Sequence, residues 1–190
     1  MGNLRSLPPI AALVFLLTGV PCAAEDQPPL RPTRDVDVTY DVTRPQQPKI
    51  RERRRWSADE NLERVDGPDK SSTIFDANKG EVILLNPKNR TFRKLEGTPR
   101  RPNDLKKGAA LKRGDEAVIA GLHCIDWSWT DDAETHTVCT TADGVLLRLV
   151  IDGSTVLQAR SVTYRKQGPE LFEVPTNYAP ALAPEGGTGL

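Results

Sequence analysis

Residues 121–139, GLHCIDWSWTDDAETHTVC, hold both histidines of the chain and two of its three cysteines. Imidazole and thiolate are ordinary zinc ligands, and a thiol beside an imidazole is the pairing of a cysteine nucleophile. Spacing argues against one metal gathering all four. His123 and Cys124 are adjacent and His136 and Cys139 are three apart, so in strands each pair points to opposite faces. Folded instead as a hairpin centred between Asp131 and Asp132, the segment places Cys124 directly opposite Cys139, His136 opposite Trp127, and His123 opposite Thr140. Directly opposed strand residues have Cα separations of about 4.5–5.5 Å, within disulfide range. The histidines then share a face but lie about 13 Å apart by strand rise, too far to share an ion. The cysteines are not spaced as C-x-x-C, the motif of redox-active dithiols. A Cys124–Cys139 disulfide is expected, with no metal and no cofactor. Ile125, Trp127 and Trp129 fall on the other face, as core or as an aromatic wall for an apolar ligand.

A disulfide requires an oxidising compartment, and the N-terminus is consistent with export. Residues 1–24 read as a cleaved secretory signal, with Arg5 followed by the apolar run IAALVFLL, too short for the roughly 20 residues that span a bilayer. Cys22 and Ala24 are the small residues of an A-x-A-like site, which places cleavage after Ala24. Lipidation of Cys22 fits less well, because Gly19 and Pro21 stand where such a signal has an aliphatic and a small residue; an uncleaved anchor is the further alternative. The whole chain has 26 basic and 26 acidic residues, and the signal removes only Arg5 from that balance. The mature net charge is about −1, so charge alone proposes no polyanionic partner. The expected localisation is the periplasm.

The elements that would carry the hairpin are also strands. Residues 25–33, EDQPPLRPT, form an extended proline-rich leader. In RDVDVTYDVTR, Val36, Val38, Tyr40 and Val42 alternate with polar residues, as in a half-buried strand. KIRERRRWS follows with Arg51, Arg53 and Arg55 facing water and Ile50 and Trp56 facing in. NLERVD, SSTIFD, EVILLN and TFRKL are short strands separated by Gly67-Pro68, ANKG and NPKN turns and closed by Gly97. After residues 97–115, where Asn103 or Asp104 could cap a short helix reaching about Leu111, strands resume as EAVIAGLHCIDWSW, THTVCTTA, GVLLRLVI and STVLQARSVTYRK. Short strands with frequent turns predict an antiparallel meander of about nine or ten strands with one or two short helices. The expected layout is a single domain over residues 34–178 and a flexible tail over 179–190.

Between residues 88 and 113 ten basic residues stand against Glu96 and Asp104. Arg100, Arg101, Lys106 and Lys107 are candidates for contact with anionic lipid headgroups or an acidic envelope protein, and RERRR adds a second patch. A solvated face explains the same residues. Nucleic acid is disfavoured by export and by the scarcity of stacking aromatics. No G-x-S-x-G, H-E-x-x-H or glycine-rich phosphate loop is present, so no catalytic residue is assigned and an enzyme is not expected.

Asp76, Gly80, Val82, Leu85, Pro87, Arg90 and Phe92 follow a D...G.V..L.P..R.Y pattern. Gly121, Cys124, Cys139 and residues 141–148 follow G..C and C.TADGV.LR, while Leu171, Phe172, Val174, Pro175 and Tyr178 follow LF.VP..Y. On these motifs residues 34–178 resemble bacterial periplasmic proteins of the lipoprotein-carrier-like (LolA/LolB-like) superfamily, in a branch of unknown function. The resemblance implies a mainly β fold: a strongly curved, unclosed antiparallel half-barrel whose concave face is covered by short helices and holds acyl chains. It carries over no site residue except the two cysteines. The functional expectation is a non-enzymatic periplasmic protein binding a lipid or lipoprotein acyl chain, lined by Val36, Val38, Tyr40, Trp56, Trp127 and Trp129. The alternative is an envelope structural or interaction module using residues 88–113.

Overall fold

The computed structural model describes residues 31–97, 109–131 and 133–181. The expected signal over residues 1–24, residues 25–30 of the expected leader, Arg100, Arg101, Lys106, Lys107 and residues 182–190 of the expected tail lie outside them. The described residues form β1 (Val36–Val42), β2 (Ile50–Ser57), β3 (Leu62–Asp66), β4 (Ser72–Asp76), β5 (Glu81–Asn86), β6 (Thr91–Glu96), β7 (Lys112–Ile119), β8 (Leu122–Asp131), β9 (Glu134–Thr140), β10 (Leu146–Ile151), β11 (Ser154–Tyr164) and β12 (Ala179–Pro180). They make one sheet in the order β12-β6-β5-β4-β3-β2-β1-β11-β10-β9-β8-β7. Two meanders, β1 to β6 and β7 to β11, are joined where β1 pairs antiparallel with β11, from Val36 opposite Tyr164 to Val42 opposite Leu157. β12 pairs parallel with β6. The edges β7 and β12 are not partners, so the sheet is open.

The alternation in residues 116–129 predicts one strand, and the structure breaks it in two. Ala120 and Gly121 take φ values of 50° and 80°, a two-residue turn whose twist suits a hairpin. Ala-Gly lacks the Asn or Asp that usually marks such a turn, so the period runs through it undisturbed.

The next hairpin turns one residue later than expected. Asp131 pairs with Glu134, and Ala133 takes a φ of 79°. Every partner therefore moves by two while every face is kept, because side chains alternate with a period of two. Cys139 lies opposite Asp126, and Trp129 rather than Trp127 lies opposite His136. The cysteines are diagonal neighbours with Cα atoms 5.4 Å apart, and their sulfurs are bonded. On the same face Arg148, the partner of Cys139 on β10, reaches across to both carboxylate oxygens of Asp126 at 3.0 and 2.8 Å. This ion pair bridges the strand that carries Cys139, which is fully buried.

Apolar burial switches sides along the sheet. Across β1, β2 and β8 to β11 most of the main cluster lies on one face, the inner face, with Val36, Val38, Tyr40, Trp56, Trp127, Trp129, Val138, Leu149 and Leu157 all buried. On β3 to β6 a second cluster of Ile74, Ile83, Leu85 and Phe172 lies on the opposite face, since Ile74 pairs with Arg64 and Ile83 whereas the inner-face Trp56 pairs with Glu63. The C-terminal segment covers this second cluster. Its 3-10 turn, Pro169–Phe172, inserts Phe172, and Arg64 Nη1 donates to the Leu171 carbonyl at 2.8 Å.

The expected one or two short helices over the concave face are not found among the described residues. Residues 109–111 are not helical and lead directly into β7, and the 3-10 turn packs on the other side. Curvature of the sheet does part of the covering instead: Tyr40 on β1 donates to the Leu146 carbonyl at 2.7 Å, two strands away on β10.

Opening the disulfide as Cys124→Ser/Cys139→Ser frees a loop spanning 15 residues. The expected loss is about 3 kcal/mol in the chain-entropy model, read as a lower unfolding midpoint in denaturant, and the wild-type protein folded under oxidising conditions should resist alkylation until reduced.

Candidate functional site

On β2, Ile50, Glu52, Arg54 and Trp56 alternate onto the inner face opposite Val42, Tyr40, Val38 and Val36. Two of those four are charged, on a face otherwise largely apolar. Arg54 Nε donates to Glu52 Oε1 at 2.6 Å, its Nη1 lies 3.9 Å from Glu63 Oε1, and the guanidinium stands 5.3 Å from the Tyr40 ring centre. The side chains of Arg54, Glu52 and Glu63 are 25%, 11% and 8% exposed. Burial pulls the Arg54 pKa down, but Glu63 and Glu52 outweigh it and hold the guanidinium above its ordinary value. Burial also pushes the Tyr40 phenol well above its usual range, keeping it neutral as the donor to Leu146.

Two cavities adjoin this cluster and share Arg54 and Leu146. The larger, about 380 Å³, has apolar walls of Val42, Leu149, Ile151, Val156 and Leu157, with Glu52 and Arg54 at one side and Arg44 among its exposed polar residues. The smaller, about 50 Å³, is lined by Val36, Tyr40, Arg54, Trp56 and Glu63 and closed by Arg31, Pro32 and Gly144.

The closing wall is the leader itself. The Thr33 amide donates to the Asp143 carbonyl at 2.9 Å, and Arg34 donates to Asp143 Oδ2 at 3.1 and 3.0 Å. Tyr164 Oη and Thr141 Oγ1 donate to Asp143 Oδ1 at 3.0 and 2.5 Å. The TADG stretch thus forms a turn that anchors residues 31–34. Gly144, at a φ of 87°, is required there, since a Cβ would stand 2.1 Å from the Arg31 carbonyl oxygen.

Of the expected ligand-lining residues, Val36, Tyr40 and Trp56 line the smaller cavity. Val38, Trp127 and Trp129 are buried in the main cluster and line neither cavity; Trp129 stacks on His136 with ring centres 5.2 Å apart. Glu52, Arg54, Leu146, Leu149 and Val156 are lining residues that sequence reasoning misses. The signal for Glu52 and Arg54 is the same alternation that puts Arg51, Arg53 and Arg55 on the opposite face, because it necessarily puts their neighbours inside; Arg55, expected in water, is instead only 11% exposed because it pairs with Asp66.

The RERRR patch is neutralised from within. Arg53 donates to both oxygens of Asp37 at 2.8 and 2.6 Å, Arg165 also pairs with Asp37, and Arg55 pairs with Asp66. Against the opposing effect of burial, Arg53 and Arg165 hold the Asp37 carboxyl below the usual carboxylate range. In the other basic region Lys94 pairs with Glu81 and Arg113 with Glu116.

No protein-family model and no curated protein matches the sequence. Solved structures match in fold. An uncharacterized conserved protein from Thermus thermophilus aligns with a TM-score of 0.57 and 12% identity over 78% of this chain and 90% of its own. MucB aligns with a TM-score of 0.54 and 12% identity over 78% of this chain and 60% of MucB, and the Pseudomonas aeruginosa MucA/MucB complex with 0.53 and 14% over 75% and 56%. A LolA superfamily protein, NE2245 from Nitrosomonas europaea, is also among the matches, with 11% identity over 76% of this chain and 92% of its own; its TM-score of 0.37 adds nothing to the fold assignment. At these identities the likeness is one of fold.

Replacing Arg54 by Met leaves the largely buried Glu52 carboxylate without the guanidinium beside it, a loss of about 3–5 kcal/mol. Adding Glu52→Gln to Arg54→Met should recover part of that loss, and a double-mutant cycle in denaturant measures the coupling.

Proposed function

We propose that the protein is an exported periplasmic binding protein without catalytic activity, holding one apolar chain in the larger inner-face cavity. The observation that supports this reading is the cavity itself. Its volume of about 380 Å³ and its Val, Leu and Ile walls match a small-ligand site with a few polar groups at one side. Ligand pockets span roughly 300–1,000 Å³, and this one lies towards the lower end of that range, which favours a single chain. Affinity comes from area removed from water, about 0.8 kcal/mol per buried methylene. Export rests on the signal-like N-terminus and agrees with the disulfide.

In a titration of the purified protein with single-chain amphiphiles of increasing length, affinity should rise about fourfold per methylene until the cavity is filled, then level off. Val156→Trp, which fills the cavity from its partly exposed wall, should abolish binding without unfolding the protein. Absence of any chain-length dependence would remove this reading.

A second reading is favoured by the fold likeness to MucB, whose solved structures include a complex with MucA. Under it the basic segment 88–113 docks an acidic envelope protein. Neutralising Arg100, Arg101, Lys106 and Lys107 together should then abolish co-purification of that partner and leave amphiphile binding unchanged; persistent co-purification would exclude that surface.

A further inference from the structure

The C-terminal segment covers the second apolar cluster only in part. On the face opposite the inner cavities, a third cavity of about 330 Å³ lies between the sheet and that segment. Leu62, Ile74 and Ile83 line it from β3 to β5, and Pro169, Phe172 and Val174 line it from the C-terminal side. Two walls from distant parts of the chain make it concave, and its volume falls within the roughly 300–1,000 Å³ of small-ligand sites. It shares no lining residue with either inner-face cavity.

Charge narrows the class of ligand. Four acidic residues line this cavity, Glu60, Asp76, Glu81 and Glu173, against two basic ones, Lys79 and Lys94. Both lysines are already matched: Lys79 Nζ lies 3.0 Å from Asp76 Oδ2, and Lys94 Nζ lies 3.1 Å from Glu81 Oε1. Asp76 is further engaged by the Asn78 and Lys79 amides, which donate to its Oδ1 at 3.0 and 2.9 Å. Glu60 and Glu173 have no ion-pair partner among the described residues, so the lining keeps two negative charges in excess beside the buried Ile74 and Phe172. An anionic ligand is repelled there, and a neutral one makes no use of the carboxylates. A cation carried on an apolar body uses both the charge and the apolar walls.

We propose that this outer-face cavity binds a small amphipathic amine, with its apolar body against Ile74, Ile83 and Phe172 and its ammonium group drawn to Glu60 and Glu173. The site is separate from the apolar-chain cavity of the inner face and does not depend on that reading.

The test compares three probes with nearly equal apolar bodies on the purified wild-type protein: 3-phenylpropylamine, 3-phenylpropanol and 3-phenylpropanoate. The amine should bind about tenfold more tightly than the alcohol, the effect of two nearby carboxylates in a solvent-facing site, and more tightly still than the acid. That advantage should shrink as salt is raised. In protein with isotope-labelled methyl groups, the amine should shift the resonances of Ile74, Ile83 and Val174 and leave those of Leu149 and Val156 in place. Combining Glu60→Gln with Glu173→Gln, both at exposed positions, should bring the amine to the affinity of the alcohol, with alcohol binding unchanged. Equal affinities for amine and alcohol, tightest binding by the acid, or shifts confined to Leu149 and Val156 would each overturn the amine site, as would the absence of binding by all three probes. Binding of the tripeptide amide Lys-Phe-Lys tenfold more tightly than the amine would overturn the small-molecule ligand in favour of a basic protein segment. The amine–alcohol comparison uses the wild-type protein, so it does not depend on how the variants fold.

Discussion

The antiparallel pairing of β1 with β11 turns two meanders into one sheet. Each meander is assembled from local hairpins, but Val36 to Val42 must find Leu157 to Tyr164 from more than a hundred residues away. Long-range strand pairing bears its loop-closure entropy before it is rewarded. The reward here is that both candidate cavities lie across the seam, with walls from β1 and β2 on one side and the β10 region on the other. Tyr40, on the seam strand itself, ties the two meanders again through its bond to Leu146.

The seam is also where charge and apolar surface meet. Outside, Asp37 on β1 collects Arg53 from β2 and Arg165 from just beyond β11, so the same strand that carries the inner valines holds its neighbours by ion pairs on the other face. Exposed pairs of this kind are each worth little, but Asp37 is largely buried and multiply bonded, which makes it a fastener specific to this register. Inside, Arg54 and its two glutamates add polarity that a plain core does not need. They stand between the two inner-face cavities, where the apolar-chain ligand proposed above would meet them.

Most strands were legible in the sequence because period-two alternation survives in nearly every one, and turns such as Asp152-Gly153 and those near Gly80 end them cleanly. Two things were not legible. The Ala120-Gly121 hairpin has too weak a turn signature to interrupt the alternation, and the β8–β9 turn sits one residue beyond the symmetric position. Neither error changed which face a side chain takes, and so the cysteine pair and the common face of Trp127 and Trp129 came through although their partners did not. The candidate site was less legible: three of the six expected lining residues line the smaller cavity, while Glu52, Arg54, Leu146 and the walls of the larger cavity emerge only when β2 and β10 are brought near each other.

By itself the sequence determined faces and local pairings, since a strand's alternation and a hairpin's closure are properties of neighbouring residues. It determined the strand-rich class, the inward set on β1 and β2, and the bond between Cys124 and Cys139. Tertiary structure decided everything that depends on distance across the sheet. It set the β1–β11 seam, the switch of apolar burial to the opposite face at β3 to β6, the use of the C-terminal segment to cover that face, and the return of the leader onto the TADG turn. These depend on curvature and on contacts between distant segments, which no local pattern encodes, and the cavities exist only where those contacts leave room.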